Sequence, residues 1–146
     1  MTAENDRPAP PVTSTSIVLL TLARRIESEL GAALAPLELT VGRLGLLGHI
    51  ARMPGVSFSE LARMSGTTVQ SVHTAVKALA AAGLVRDRTA RAGSASTIEV
   101  TAEGARLLDA AREVVARVDD LLFGPAADPI QRQVGDAVRA AFGSAG

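Results

Sequence analysis

Apolar residues recur along most of the chain at spacings of three and four, the periodicity of amphipathic helices. The first such stripe is Ile17, Leu20, Ala23, Ile26, Leu30 and Leu34, with Ser16 placed to cap it and Gly31 and Pro36 to mark its end. A second runs through Val41, Leu44, Leu47 and Ile50, opening at Thr40 and stopping at Met53-Pro54-Gly55. Gly42, Gly45 and Gly48 interrupt it at three-residue spacing. Each glycine costs a helix about 1 kcal/mol against alanine, so the stripe predicts close packing against another backbone.

The next stretch is denser in signals. Ser57-Phe58-Ser59-Glu60 has the spacing of a capping box, in which a Ser hydroxyl and a Glu three residues later satisfy exposed backbone amides reciprocally. It predicts a short helix from Phe58 to Met64 with Leu61 and Ala62 turned inward. Ser65-Gly66-Thr67 then reads as a tight turn, and Thr68 as the cap of a helix running to about Ala82 and stopping at Gly83. Two helices joined by so short a glycine-containing turn form a helix-turn-helix pattern.

That second helix has an inner face of Val72, Ala75, Val76 and Leu79. At about 100° per residue, Gln70, Thr74 and Lys77 fall on the opposite side, with Ser71 and His73 on its flanks. The face holds no acidic residue. Gln pairs bidentately with adenine, Ser and Thr meet bases or phosphates, and Lys reaches guanine or phosphate.

Leu84-Val85 and Thr97-Ile98-Glu99-Val100 bracket a small-residue loop with Arg86, Arg88, Arg91 and Gly93, which predicts a β-hairpin. After a recognition helix, a basic hairpin is a wing that grips phosphates or enters the minor groove. Thr101 then caps a long helix bearing Leu107, Leu108, Ala111, Val114, Val115, Val118, Leu121 and Leu122. Asp128-Pro129 begins a last one with Ile130, Val134, Ala137, Val138, Ala141 and Phe142. These apolar faces exceed what a small winged domain covers. With the first helix they predict a helical dimer interface, the alternative being that they pack within one chain.

The expected fold is therefore mainly α with a small β-hairpin wing. It divides into a disordered lead-in over 1–13, a dimerisation helix over 14–36, a winged helix-turn-helix over 37–100 and C-terminal dimerisation helices over 101–143.

Composition sharpens this in three places. The 146 residues contain no cysteine, which excludes disulfides, thiolate metal sites, a nucleophilic thiol and a thiol-based peroxide sensor. His49 and His73 are too far apart for a local zinc motif, and no metal or cofactor is expected. Net charge is zero, yet Arg43 to Arg91 holds seven basic residues against Glu60 and Asp87, a local excess of +5 between acidic flanks. A basic middle on an acidic scaffold suits a nucleic-acid face.

The N-terminus has neither the basic start nor the apolar run of an export signal, and no apolar run approaches the roughly 20 residues of a membrane span. A cytoplasmic protein with no membrane partner is the expectation. No paired carboxylates, phosphate loop or Ser/His/Asp set stands out, so the chain does not read as an enzyme.

From about Leu39 to Leu122 the chain resembles the MarR family of bacterial transcriptional regulators. The matching residues are Leu39-Thr40, Ser59-Glu60-Leu61-Ala62, Val72 and Leu79, Gly83-Leu84-Val85, and Val100-Thr101-Ala102-Glu103-Gly104. The Gly-Leu-Val and Thr-x-x-Gly anchors stand at the family's spacing. The resemblance implies a homodimer, probing successive major grooves of a pseudo-palindromic operator on double-stranded DNA with half-sites about 34–36 Å apart. It also implies a repressor relieved by a small aromatic acid or phenol bound between the DNA-binding and dimer regions. Family wings commonly carry an Asp and one or two Arg near the tip, where this chain has Gly93, Ser94 and Ala95.

The residues expected at the major groove are Gln70, Ser71, Thr74 and Lys77, with His73 and Thr68 on phosphates or bases and Arg86, Arg88 and Arg91 on the wing. Lys77 is the only lysine in the chain. An effector pocket has few aromatics available, so aliphatics with Met53 or Met64 are expected to line it. Arg24, Arg43 and His49 are the groups that could meet an acidic ligand, but each reads first as a surface residue or an internal hydrogen-bond partner, and the ligand site stays open. Titration of His49 or His73 is a further open route to control. The rival reading is a winged-helix protein-interaction module without DNA binding, which the neutral net charge and the altered wing tip favour.

Overall fold

Each helix begins where a side-chain oxygen takes up a free backbone amide, and these caps set the boundaries of the computed structural model, which describes residues 14–88 and 97–143. The elements are α1 (Thr15–Leu34), a 3-10 turn (Ala35–Leu37), α2 (Val41–Arg52), α3 (Phe58–Ser65), α4 (Val69–Ala81), β1 (Val85–Arg88), β2 (Thr97–Val100), α5 (Ala102–Phe123) and α6 (Pro129–Phe142). Thr40, Ser57, Thr68, Thr101 and Asp128 cap α2 to α6, as their positions predict.

One expectation at α1 is corrected. The cap is Ser14, whose hydroxyl accepts the Ile17 amide at 3.2 Å, and Ser16 lies inside the first turn. The helix runs past Gly31 and ends just before Pro36, the second of its two expected end marks. Leu34, fully buried in a small core with Leu39, Ala111 and Val114, draws α1 three residues further, and packing of that kind overrides a local glycine penalty. The notional lead-in, 1–13, lies outside the described residues.

Both halves of the capping box are made: Ser57 Oγ accepts the Glu60 amide at 3.1 Å, and Glu60 Oε2 accepts the Ser57 amide at 3.0 Å. The Ser57 backbone amide and then its hydroxyl hold the Glu60 carboxyl below its ordinary pKa. This contribution to stability is complete above the ordinary carboxylate range and disappears as pH falls through the lowered value. Ser57→Ala is expected to cost about 1 kcal/mol, a fall of about 3–4 °C in Tm by circular dichroism.

The main core joins Leu46, Leu47 and Ile50 of α2, Val56 of the loop that follows, Leu61 and Ala62 of α3, Val72, Val76 and Leu79 of α4, and Leu108 of α5. Val85 and Ile98 extend it into the hairpin, whose antiparallel register pairs Val85 with Val100 and Arg86 with Glu99. Strand alternation therefore puts Arg86, Arg88 and Glu99 on the face away from the core.

The junction from hairpin to α5 is tight. The Thr101 hydroxyl donates to the Gly83 carbonyl at 2.6 Å and accepts the Gly104 amide at 3.1 Å, while the Thr101 amide donates to the Leu84 carbonyl at 3.0 Å. Gly83 turns the chain with φ of +76°, and Gly104 is buried where a Cβ would overlap the Leu84 carbonyl.

The glycine stripe of α2 behaves differently from its expectation. A Cβ at Gly42, Gly45 or Gly48 would meet nothing within 4 Å, so among the described residues no backbone packs there. The apolar face of α5 is mostly buried within the chain, through Leu108, Ala111, Val114, Val118 and Leu122. By contrast, the outer half of α1 and most of α6 stay bare: Leu20 is 54 % exposed, Ile130 70 % and Phe142 75 %. Gln131 anchors α6, donating to the Leu122 carbonyl at 2.7 Å and accepting from Arg25 at 3.1 Å. Among the described residues, no single helix is long and apolar enough to cross a membrane.

Candidate nucleic-acid interface

Gly66 closes α3 with φ of +64°, a left-handed conformation that lets the chain reverse into α4 within three residues. Thr68 Oγ1 accepts the Ser71 amide at 3.1 Å and donates to Ser71 Oγ at 2.9 Å. These two hydroxyls thus hold the start of the helix, and each keeps spare hydrogen-bonding capacity toward solvent.

Val72, Val76 and Leu79 are buried, which leaves Gln70, Ser71, His73, Thr74 and Lys77 exposed as their angular positions predict. The Thr74 hydroxyl donates to the Gln70 carbonyl at 3.1 Å and presents its lone pairs outward. Among the described residues the Gln70 and Lys77 side chains have no partner.

His73 is less free than its exposure suggests. Its ring stacks on Phe58 of α3, with centroids 3.9 Å apart and planes 14° from parallel. Phe58 is half-buried and itself packs on the main core. Nothing in the spacing of either helix marks this pair, because it forms only when α3 and α4 fold together. A second residue passed over is Val69, the first of α4 and 41 % exposed. Selection by polarity skips it, although the thymine methyl in a major groove is an apolar feature.

On the hairpin, Arg86 is exposed and Arg88 Nε lies 3.9 Å from Glu99 Oε2, both side chains being solvent-accessible. A pair so exposed contributes roughly 0–1 kcal/mol, so Arg88 remains available to an anion. Glu99 lies beyond the stretch of basic excess in sequence, yet the register sets it opposite Arg86 and lowers the positive charge of the wing. Arg91 and the tip residues Gly93, Ser94 and Ala95 lie outside the described residues.

A cleft of about 490 Å³ runs between α2 and α5, lined by Gly45, Gly48, His49 and Arg52 on one side and Leu108, Arg112 and Val115 on the other. The two glycines open its floor. Arg112 is held by Asp109 at 2.9 Å at the rim. Of the residues named in connection with a pocket, His49 lines this cleft, while Arg24, Arg43, Met53 and Met64 lie outside it. Among the described residues no group of His, Asp and Glu is arranged to hold a metal ion.

A short α3–turn–α4 unit with a polar, acid-free outer face, followed at once by a hairpin, defines a winged helix-turn-helix protein. Residues 37–93 match the model of the MarR family. The HTH-type transcriptional repressor Rv2887 of Mycobacterium tuberculosis is 33 % identical over 109 residues, covering 74 % of this chain and 78 % of that protein. The chain belongs to the MarR family. Rv2887 solved in complex with DNA superimposes with a TM-score of 0.72 at 27 % identity, over 88 % of this chain and 98 % of that one. Rv2887 in complex with salicylic acid gives 0.68 at 28 % identity, over 92 % and 98 %.

Proposed function

We propose that the chain is a homodimeric, sequence-specific DNA-binding repressor of transcription whose hold on a pseudo-palindromic operator is relieved by a small aromatic acid. The observation that carries this is the outer face of α4. Gln70, Ser71, His73, Thr74 and Lys77 stand exposed there with no acid among them, on a helix whose opposite side is sunk in the core. Gln70, Ser71, Thr74 and Lys77 serve the major groove, Thr68 and His73 its edges, and Arg86, Arg88 and Arg91 the flanking phosphates. The bare apolar surface of α1 and α6 supports 14–36 and 101–143 as the dimerising parts of the chain, with 37–100 as the DNA-binding part. In this reading the protein acts on the chromosome in the cytoplasm, as a regulator rather than an enzyme.

The ligand class is carried over from the relative solved in complex with salicylic acid, and relief of DNA binding is our reading of what such a ligand does here. The α2–α5 cleft suits that class of molecule: its walls are largely apolar, and His49, Arg52 and Arg112 on its lining outweigh the single carboxylate there, Asp119.

The test is fluorescence anisotropy against duplexes tiling the chain's own upstream region, repeated across salt. Steep weakening with salt on one near-palindromic duplex is expected, because phosphate contacts release counterions. Salt-insensitive or absent DNA binding would favour the protein-interaction module. Lys77→Ala is expected to lower the salt slope by about one if Lys77 meets a phosphate, or to cost about 1–3 kcal/mol of discrimination at one base pair if it reads a base. Unchanged affinity and slope would remove Lys77 from the interface.

A further inference from the structure

An exposed histidine on a helix samples several ring orientations, and ordering it on binding costs free energy. His73 escapes most of that cost. Its imidazole lies flat on the Phe58 ring, 3.9 Å away and 14° from parallel. The platform is rigid because Phe58 sits at the start of α3 behind the Ser57 cap and packs on the main core. With one face of the imidazole covered, the stack fixes the ring plane, and the two nitrogens donate or accept only at the ring's edge in that plane. His73 stands one turn before Lys77 on the outer side of α4, so that edge belongs to the surface assigned above to DNA.

We propose that Phe58 is a positioning residue for DNA recognition: it touches no base or phosphate itself, and it orients His73 so that the imidazole edge meets the operator in a preset geometry. This rests on the DNA-binding reading above. Phe58 thereby joins α3, otherwise only the supporting helix, to the specificity of α4.

A double-mutant cycle tests it. The duplex is the tightest binder selected by the wild-type protein from a random pool, and the variants are Phe58→Leu, His73→Ala, their combination, and Phe58→Tyr. Ordering one side chain is worth a factor of roughly 2–12 in affinity per half-site. Phe58→Leu is therefore expected to weaken binding by that factor with His73 present and to have no further effect in the His73→Ala background. Phe58→Tyr keeps a flat ring and should retain wild-type affinity. Thermal melting of each variant separates loss of fold from loss of orientation, since Phe58→Leu and Phe58→Tyr are compared at temperatures where both are fully folded. Equal losses from Phe58→Leu in both backgrounds, no loss from His73→Ala, or failure of Phe58→Tyr to restore affinity would each overturn the proposal while leaving the repressor reading intact. Absence of any selected duplex would sink both.

Discussion

Placing acids on the bare apolar face, as Ile130→Asp with Phe142→Asp, is expected to leave the chain folded but monomeric and to weaken operator binding by about a hundredfold or more. Ile130 and Phe142 are 70 % and 75 % exposed in the single chain, so their loss removes little core. Asp at position 130 lies in the first turn of α6, where the helix dipole favours an anion. In a dimer built on this face the same carboxylates must leave water, at a cost of several kcal/mol each. Once the protomers part, the second recognition helix no longer binds at the high effective concentration its partner provides, an advantage of about 10²–10⁴. Sedimentation reads the mass, circular dichroism the fold and anisotropy the affinity. A variant that remains dimeric and binds as before would rule out α1 and α6 as the interface.

The junction between wing and α5 predicts an effect of similar size on stability. Gly104→Ala is expected to cost about 3 kcal/mol and to lower Tm by about 10 °C. The added Cβ would overlap the Leu84 carbonyl and come within 2.8 Å of the Val100 side chain. That carbonyl has little room to retreat, because it already accepts the Thr101 amide at 3.0 Å, and Thr101 is held to Gly83 in turn. Gly45→Ala is the counter-test. Its Cβ would meet nothing within 4 Å, and its helical backbone suits alanine, so a gain of roughly 0.5–1 kcal/mol is expected. Calorimetry of both variants would show opposite signs; a Gly104→Ala protein melting like the wild type would remove the steric argument for the Thr-x-x-Gly anchor.

What the amino-acid order determined by itself was local. Ser57 with Glu60, Thr68, Thr101 and Asp128 with Pro129 announced helix starts because a cap needs only residues within one turn. The alternation of Val72, Val76 and Leu79 with Gln70, Thr74 and Lys77 announced which side of α4 faces outward, because helical periodicity needs only the helix. The Gly-Leu-Val and Thr-x-x-Gly anchors were legible for the same reason, and with them the family. Ser14, rather than Ser16, starts α1, and a local pattern could not choose between two serines two residues apart.

The rest was decided by contacts between elements distant in sequence. Gly31 fails to break α1 because Leu34 finds Ala111 and Val114, far along the chain. The α2 glycines promised a close backbone neighbour, but none of the described residues comes near them, and Gly45 and Gly48 line a cleft against α5 instead. Glu99 dilutes the basic wing only through strand register, and Phe58 reaches His73 only through the α3–α4 turn. Caps and periodicity act over one or two helical turns, whereas a stacked ring, a cleft or a charge pair depends on where whole helices come to rest.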